Sequence, residues 1–284
     1  MLAMAERDDI RPDYTMDQPV GRYGARDHAL WCRLFERQAE TLRGRACDEF
    51  LAGLEGLGIA KDGIPVFERL SRALIKATGW RIVAVPGLVP DEIFFAHLAA
   101  RRFPVTWWIR RPEQMDYLQE PDVFHDIYGH VPLLMNPVFG DYMQAYGEAG
   151  LAALKQGALK QLARLYWYTV EFGLIRTRRG MRIYGSGIVS SKTESVYCLE
   201  SPAPNRIGFE PKRIMRTGYR LNCLQKSYFV IDGFEQLFEA TRADLTPCYG
   251  ELRGLAEIPS GELLPTDTLI HRGTREGWDQ RPDS

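Results

Sequence analysis

Five histidines occur in 284 residues, and two of them share one short segment, FHDIYGHVP at residues 124–132. Neutral imidazole is a common metal ligand, so a pair this close in sequence is the first chemical signal. On a regular α-helix, residues five apart stand about 140° around the axis, against about 40° for the four-residue spacing of HExxH sites. A straight helix would therefore keep His125 and His130 apart, and Gly129 and Pro132 supply a break that lets His130 swing toward His125 from beyond the last turn. A third donor is Glu171, the only charge in the aromatic and aliphatic run LYWYTVEFGLI at residues 165–175. A carboxylate buried there without a partner would cost several kcal/mol, so it must meet a cation or a set of hydrogen bonds. Two imidazoles and one carboxylate make the facial triad of non-haem iron(II) enzymes, which leaves positions open for oxygen and substrate. His125, His130 and Glu171 are thus the candidate metal site. Zinc suits the same donors, although neither HExxH nor HxxEH is present and Asp126, not Glu, follows His125. Spacing alone also leaves room for hydrogen-bonded histidines beside a Glu171 paired with Arg164 or Arg176.

The elements that must position these groups read as helices with few strands. From Asp27, a candidate cap, apolar residues recur through Trp31, Phe35, Leu42, Ala46, Phe50 and Leu54 on one helical face until Gly56 and Gly58. Pro65 opens a second helix that Gly79 closes. Residues 80–86 read as a strand, 93–100 as a helix, 103–109 as a strand, and 139–154 and 158–177 as helices, with Gly147, Gly150 and Gly157 marking close packing or breaks. Residues 177–180 form a turn, 228–231 a strand and 234–240 a helix. Strand candidates are few and do not alternate with helices, so the expected architecture is mainly α with short β-strands in a single domain, residues 26–265. Residues 1–25 and 266–284 lack an apolar period and are expected to form a loose arm and a loose tail.

Composition excludes several classes. With 36 Lys+Arg against 37 Asp+Glu, the net charge of -1 gives no electrostatic footprint for nucleic acid. Cys32, Cys47, Cys198, Cys223 and Cys248 contain no CxxC pair, and the N-terminus has no signal-peptide core, which points to a reduced, cytoplasmic protein. No stretch reaches the roughly 18 apolar residues of a membrane span; residues 162–175 come nearest.

Three blocks, EPDVFHDIYGHVPL (residues 120–133), YWYTVEFGL (166–174) and YGSGIVSS (184–191), closely resemble the pterin-dependent aromatic amino acid hydroxylases, and the resemblance extends over residues 80–230. It implies that His125, His130 and Glu171 bind Fe(2+), with a tetrahydropterin and dioxygen as co-substrates. It further implies that Phe94, in GLVPDEIF (residues 87–94), stacks on the pterin, that Leu88 and Val89 contact it, that Asp126 reaches it through water, and that Tyr166 lines the iron pocket. Offset stacking on a flat bicyclic ring is worth about 1 kcal/mol beyond burial. Arg110 matches the clamp for the amino acid carboxylate, a task suited to a planar guanidinium. Pro121, Trp167, Gly187 and Ser190 match the walls around the substrate. Leu118 stands where animal members carry a Thr that helps hold the carboxylate. Likeness to bacterial members implies L-phenylalanine as substrate, hydroxylated at the para position, with tyrosine or tryptophan as alternatives within the family. A zinc hydrolase and a non-catalytic interaction protein are the readings from other classes. His28, His97 and His271 match no ligand position, and the lack of a heptad pattern after Pro265 makes a monomer the expectation.

Overall fold

The computed structural model describes residues 9–278 apart from 117, 119 and 222. Helix α1 (Ala25–Thr41) begins where the Asp27 carboxylate, inside the first turn, accepts the Gly24 N–H at 2.8 Å instead of standing at the N-cap itself. The apolar series expected as one helix divides: the chain turns through Gly44 at φ 74° and resumes as α2 (Asp48–Leu57). At the break, the Cys47 N–H donates to Ile183 O and the Ile183 N–H donates to Arg45 O, each at 2.9 Å. Pairing with a residue far along the chain overrides the local helical period.

Helix α3 (Phe67–Thr78) ends at Gly79, φ 79°, as expected. Strand β1 (Arg81–Val85), helix α4 (Asp91–Ala99) and strand β2 (Arg102–Thr106) form a parallel strand–helix–strand unit. Helix α5 (Pro137–Gln156) is capped by Asn136, whose side chain accepts the Phe139 N–H at 3.1 Å, and stops at Gly157, φ 65°. It packs on α4 where Gly147 and Gly150 allow close approach: a Cβ on Gly147 would lie 2.4 Å from Ala99 N, and one on Gly150 2.0 Å from the Phe95 ring. Gly147→Ala gains about 1 kcal/mol of helix propensity but must push the α4 backbone away. A net loss of about 1–2 kcal/mol is expected from overpacking, read as a lowered thermal midpoint.

The helix expected over residues 158–177 stops early. Helix α6 (Leu159–Tyr166) passes into a wider turn and then strand β3 (Leu174–Thr177), which forms a hairpin with β4 (Gly180–Ile183). After them come α7 (Ser186–Val189), α8 (Lys192–Glu200), β5 (Asn205–Gly208), α9 (Pro211–Arg216), β6 (Ser227–Ile231), α10 (Phe234–Arg242), α11 (Thr246–Leu252) and β7 (Leu269–His271). The second sheet has the order β4-β3-β6-β5-β7, with β3 and β5 parallel to β6. The architecture is mainly α with short strands, and one contiguous hydrophobic cluster runs from Met16 to Leu252.

Described residues near both ends make hydrogen bonds to the folded body. The Met16 N–H donates to Ala84 O at 2.9 Å, the Gln18 side chain accepts the Phe67 N–H at 2.8 Å, and the Tyr23 hydroxyl donates to Trp107 O at 2.7 Å. At the other end β7 pairs antiparallel with β5. Individual hydrogen bonds to the folded body, not an apolar period, hold these segments. Residues 1–8 and 279–284 of the expected arm and tail lie outside the described residues. Among the described residues, no helix is long and apolar enough to cross a membrane.

Candidate active site

Two π-turns build the donor cluster. His125–His130 forms one and Trp167–Glu171 the other. A π-turn closes i→i+5 hydrogen bonds, so residues five apart come nearly into line along the axis. His125 and His130 therefore share a face within one wide turn, which corrects the swing past a broken helix end that Gly129 and Pro132 suggest. Gly129 lies inside the turn, and Pro132 belongs to the 3-10 turn that follows. Ligand atoms of His125, His130 and Glu171 all lie within 4.8 Å of one another. His130 Nε2 is 3.2 Å from Glu171 Oε1, and His125 Nε2 is 3.7 Å from Glu171 Oε2. The alternative ion pairs are absent: Arg164 pairs with Glu257 and Arg176 with Asp232.

His125 and Glu171 are in the states a metal requires. Burial pushes the His125 imidazole down to about 4, so it is neutral near pH 7. Burial alone would push Glu171 up, but His130, His125 and the Ser186 hydroxyl outweigh it and hold the carboxyl down to about 2. The Ser190 hydroxyl donates to Ser186 O at 2.8 Å and therefore accepts from His125 Nδ1, 2.9 Å away. That fixes the tautomer with the Nε2 lone pair facing the cluster, the usual support for a metal-bound imidazole. Ser186 donates to Glu171 Oε2 at 2.9 Å. A Cβ on Gly187 would come 3.1 Å from the same oxygen, so the small residue leaves room for the carboxylate. Two imidazoles and a charged carboxylate fit a divalent first-row metal with open positions.

The cluster opens into a cavity of about 260 Å³. Arg110, Pro121, Trp167, Gly187 and Ser190, predicted as the substrate set, all line it together with His125, Glu171, Phe172 and Leu118. Arg110 is held by Asp122, which spacing did not single out: Nε donates to Oδ2 at 2.8 Å and Nη2 to Oδ1 at 2.9 Å. The same carboxylate accepts the backbone N–H of Arg110 at 2.8 Å and of His125 at 3.0 Å. Burial would push Asp122 up, yet Arg110 and these hydrogen bonds outweigh it and hold the carboxyl below its usual range. The signal was the block itself, since a buried Arg needs an acid, and Asp122 lies three residues before His125.

Leu88, Val89, Phe94, Asp126 and Tyr166, predicted as the pterin set, do not line this cavity. Leu88 is 74% exposed on the loop after β1, and Phe94 is half-buried on α4. Tyr166 bridges the two regions, edge-on to Phe94 at 6.1 Å between centroids and stacked with His130 at 6.2 Å. Asp126 Oδ2 accepts the Thr106 N–H at 2.7 Å, and burial pushes its carboxyl up to about 7. The remaining histidines find local partners: His28 Nδ1 accepts the Ile64 N–H at 3.1 Å, His97 Nε2 lies 2.8 Å from Asp13 O, and His271 Nε2 lies 3.0 Å from Pro202 O.

A His-His-Glu cluster at the head of an aromatic cavity, supported by paired π-turns, defines a class, and the comparison with known families agrees. Residues 4–245 match the biopterin-dependent aromatic amino acid hydroxylases, and the chain belongs to that family. It is 65% identical to the phenylalanine-4-hydroxylase of Ralstonia nicotianae over 274 residues, covering 96% of this chain and 88% of that protein. Identity to the phenylalanine-4-hydroxylase of Chromobacterium violaceum is 59%, covering 95% of this chain and 91% of that protein. The crystal structure of the Chromobacterium violaceum phenylalanine hydroxylase with bound oxidised Fe(III) superposes with a TM-score of 0.89 at 60% identity, covering 91% of this chain and 94% of that one.

Proposed function

We propose that this chain is an iron- and tetrahydropterin-dependent monooxygenase that converts free L-phenylalanine and dioxygen to L-tyrosine. The observation that carries the reading is the convergence of His125, His130 and Glu171 beside a cavity that His125 and Glu171 line together with Arg110. The identities to bacterial phenylalanine-4-hydroxylases support phenylalanine over tyrosine or tryptophan. When bound, iron and reduced pterin together supply the electrons and the dioxygen activation that the reaction needs.

The protein's share is placement. His125, His130 and Glu171 would hold the metal, and Ser190 and Ser186 keep two of these donors oriented. Arg110 takes the substrate carboxylate, its planar guanidinium aimed by Asp122. Pro121, Trp167 and Phe172 form the apolar walls that exclude water from the reacting ring. Trp167 is itself fixed, stacked on Tyr219 at 4.3 Å and donating from Nε1 to Gln225 Oε1 at 3.0 Å. Leu88, Val89, Phe94 and Asp126 would hold the pterin, with Tyr166 between Phe94 and His130.

Anaerobic loading with iron(II), followed by tetrahydropterin, oxygen and each aromatic amino acid in turn, tests the reading. Tyrosine formed from phenylalanine with the highest kcat/KM supports it, and a higher value for tryptophan moves the substrate but not the reaction class. Phe94→Ala is expected to raise the KM for pterin about fivefold or more while changing that for phenylalanine little, reflecting about 1 kcal/mol of stacking. An unchanged pterin KM would mark Phe94 as a packing residue. The reading also places the enzyme in the reducing cytoplasm, supported by five cysteines that are all free thiols, Cys47 and Cys198 among them buried.

A further inference from the structure

The cavity wall holds one more buried carboxylate, which the reading above leaves unused. Glu194 sits in the first turn of α8, its N–H capped by Ser191 Oγ at 3.3 Å, and is 5% exposed. Its Oε1 accepts the Gln225 N–H at 3.2 Å and the Tyr228 hydroxyl. Both donors are neutral, and no cation pairs with Glu194 among the described residues. The other acids of the wall are accounted for: Asp116 pairs with Arg37, Glu120 is exposed, and Glu171 belongs to the donor cluster. Burial pushes this carboxyl up to about 7, and a cation arriving through the cavity would hold it ionised.

We propose that Glu194 receives the α-ammonium group of the amino acid substrate while Arg110 takes its carboxylate, an assignment that rests on the hydroxylase reading above. The placement carries it: Glu194 and Arg110 line one cavity, and no cation pairs with Glu194 among the described residues. Arg110 already shares its charge with Asp122 through a two-point contact, so a carboxylate entering alone would meet a cation that is partly compensated. A zwitterion brings its own cation, and Glu194 is the buried wall residue that matches it. An ammonium beside the carboxylate in turn favours its charged form. Gln225 links this group to the ring pocket, because its N–H holds Glu194 while its side chain holds Trp167. The head group and the aromatic ring of the substrate are thereby read by one connected set of side chains. The prediction is selectivity for α-amino acids over aromatic acids of the same length.

The test compares L-phenylalanine with 3-phenylpropanoate, which keeps the ring and carboxylate and lacks the amine. Binding to the iron-loaded chain is measured by calorimetry without pterin and without oxygen. Wild type is expected to prefer phenylalanine by about tenfold or more, the worth of a charge-assisted contact. Glu194→Gln keeps the acceptor for Tyr228 and removes the charge, so it should lose most of that preference while binding 3-phenylpropanoate at least as well as wild type. Wild-type affinities within threefold of each other overturn the assignment whether or not the variant folds, and so does a preference that survives in E194Q. Tyrosine formation by the same wild-type preparation separates the two readings: turnover without amine selectivity overturns Glu194 alone, and no turnover overturns the hydroxylase reading with it.

Discussion

Glu171→Gln should leave a folded chain that no longer retains stoichiometric iron and forms tyrosine more than about 100-fold more slowly, since even the outer partners of metal ligands are worth 10–100-fold. The substitution keeps volume and an acceptor oxygen for Ser186 and removes the negative charge that balances a divalent ion. The metal-free protein should still fold but melt somewhat lower, because an amide of the same shape keeps the Ser186 contact and gives up the charge that His130 and His125 hold in place. The metal response is where the loss appears. Iron at about 100 times its dissociation constant stabilises the folded state by about 2.7 kcal/mol, so wild type should melt several degrees higher with iron(II) than without it. E171Q should melt at nearly the same temperature in both. His125→Ala and His130→Ala should behave alike, since two remaining donors cannot hold a defined geometry. Elemental analysis and paired melts read the result, and full iron occupancy with normal turnover in any of the three would remove that residue from the site.

The donors were legible because their types are conspicuous: a histidine pair and a single charge in an apolar run have few bland explanations. Their geometry was not. Residue spacing was judged against a 3.6-residue helix, which predicts that His125 and His130 diverge, and the π-turns that align them have no sequence signature in propensity or period. A similar limit applies at residues 42–47, where an apolar face looks continuous through Leu42 and Ala46. The chain breaks there because Arg45 and Cys47 exchange hydrogen bonds with Ile183, a partner invisible to any local window. Strand β3 was absorbed into a predicted helix for the same reason, its partners β4 and β6 being supplied by later sequence. Met16 and Gln18 looked unstructured because hydrogen bonds to Ala84 and Phe67, not buried period, hold them. Within the site, what escaped was the supporting layer. Asp122 and Glu194 carry no motif of their own, and their significance appears only once burial shows which charges must be answered.

The Arg110–Asp122 pair offers a prediction in which stability and function come apart. Asp122 is fully buried and Arg110 is 7% exposed, so removing either partner strands the other's charge. Arg110→Ala and Asp122→Ala are each expected to cost about 3–5 kcal/mol of stability, and phenylalanine binding should be lost in both. Binding data from either single variant are then confounded by unfolding. The double variant Arg110→Met, Asp122→Leu removes both charges with apolar side chains of comparable size, and such replacements are close to neutral in stability. It should therefore melt within a few degrees of wild type, less the two backbone hydrogen bonds that Asp122 accepts from Arg110 and His125. Phenylalanine affinity in it should still fall at least tenfold, because no guanidinium remains to meet the carboxylate. The pH dependence supplies a second check. Asp122 is held below its usual carboxyl range, so its contribution is fully present above the unfolded value of about 3.9 and disappears as pH falls through the lower folded value. Wild type should lose this part of its stability only on strong acidification, and the double variant should show a shallower decline over the same interval. A double variant that binds phenylalanine as wild type does would show that Arg110 serves only to satisfy Asp122.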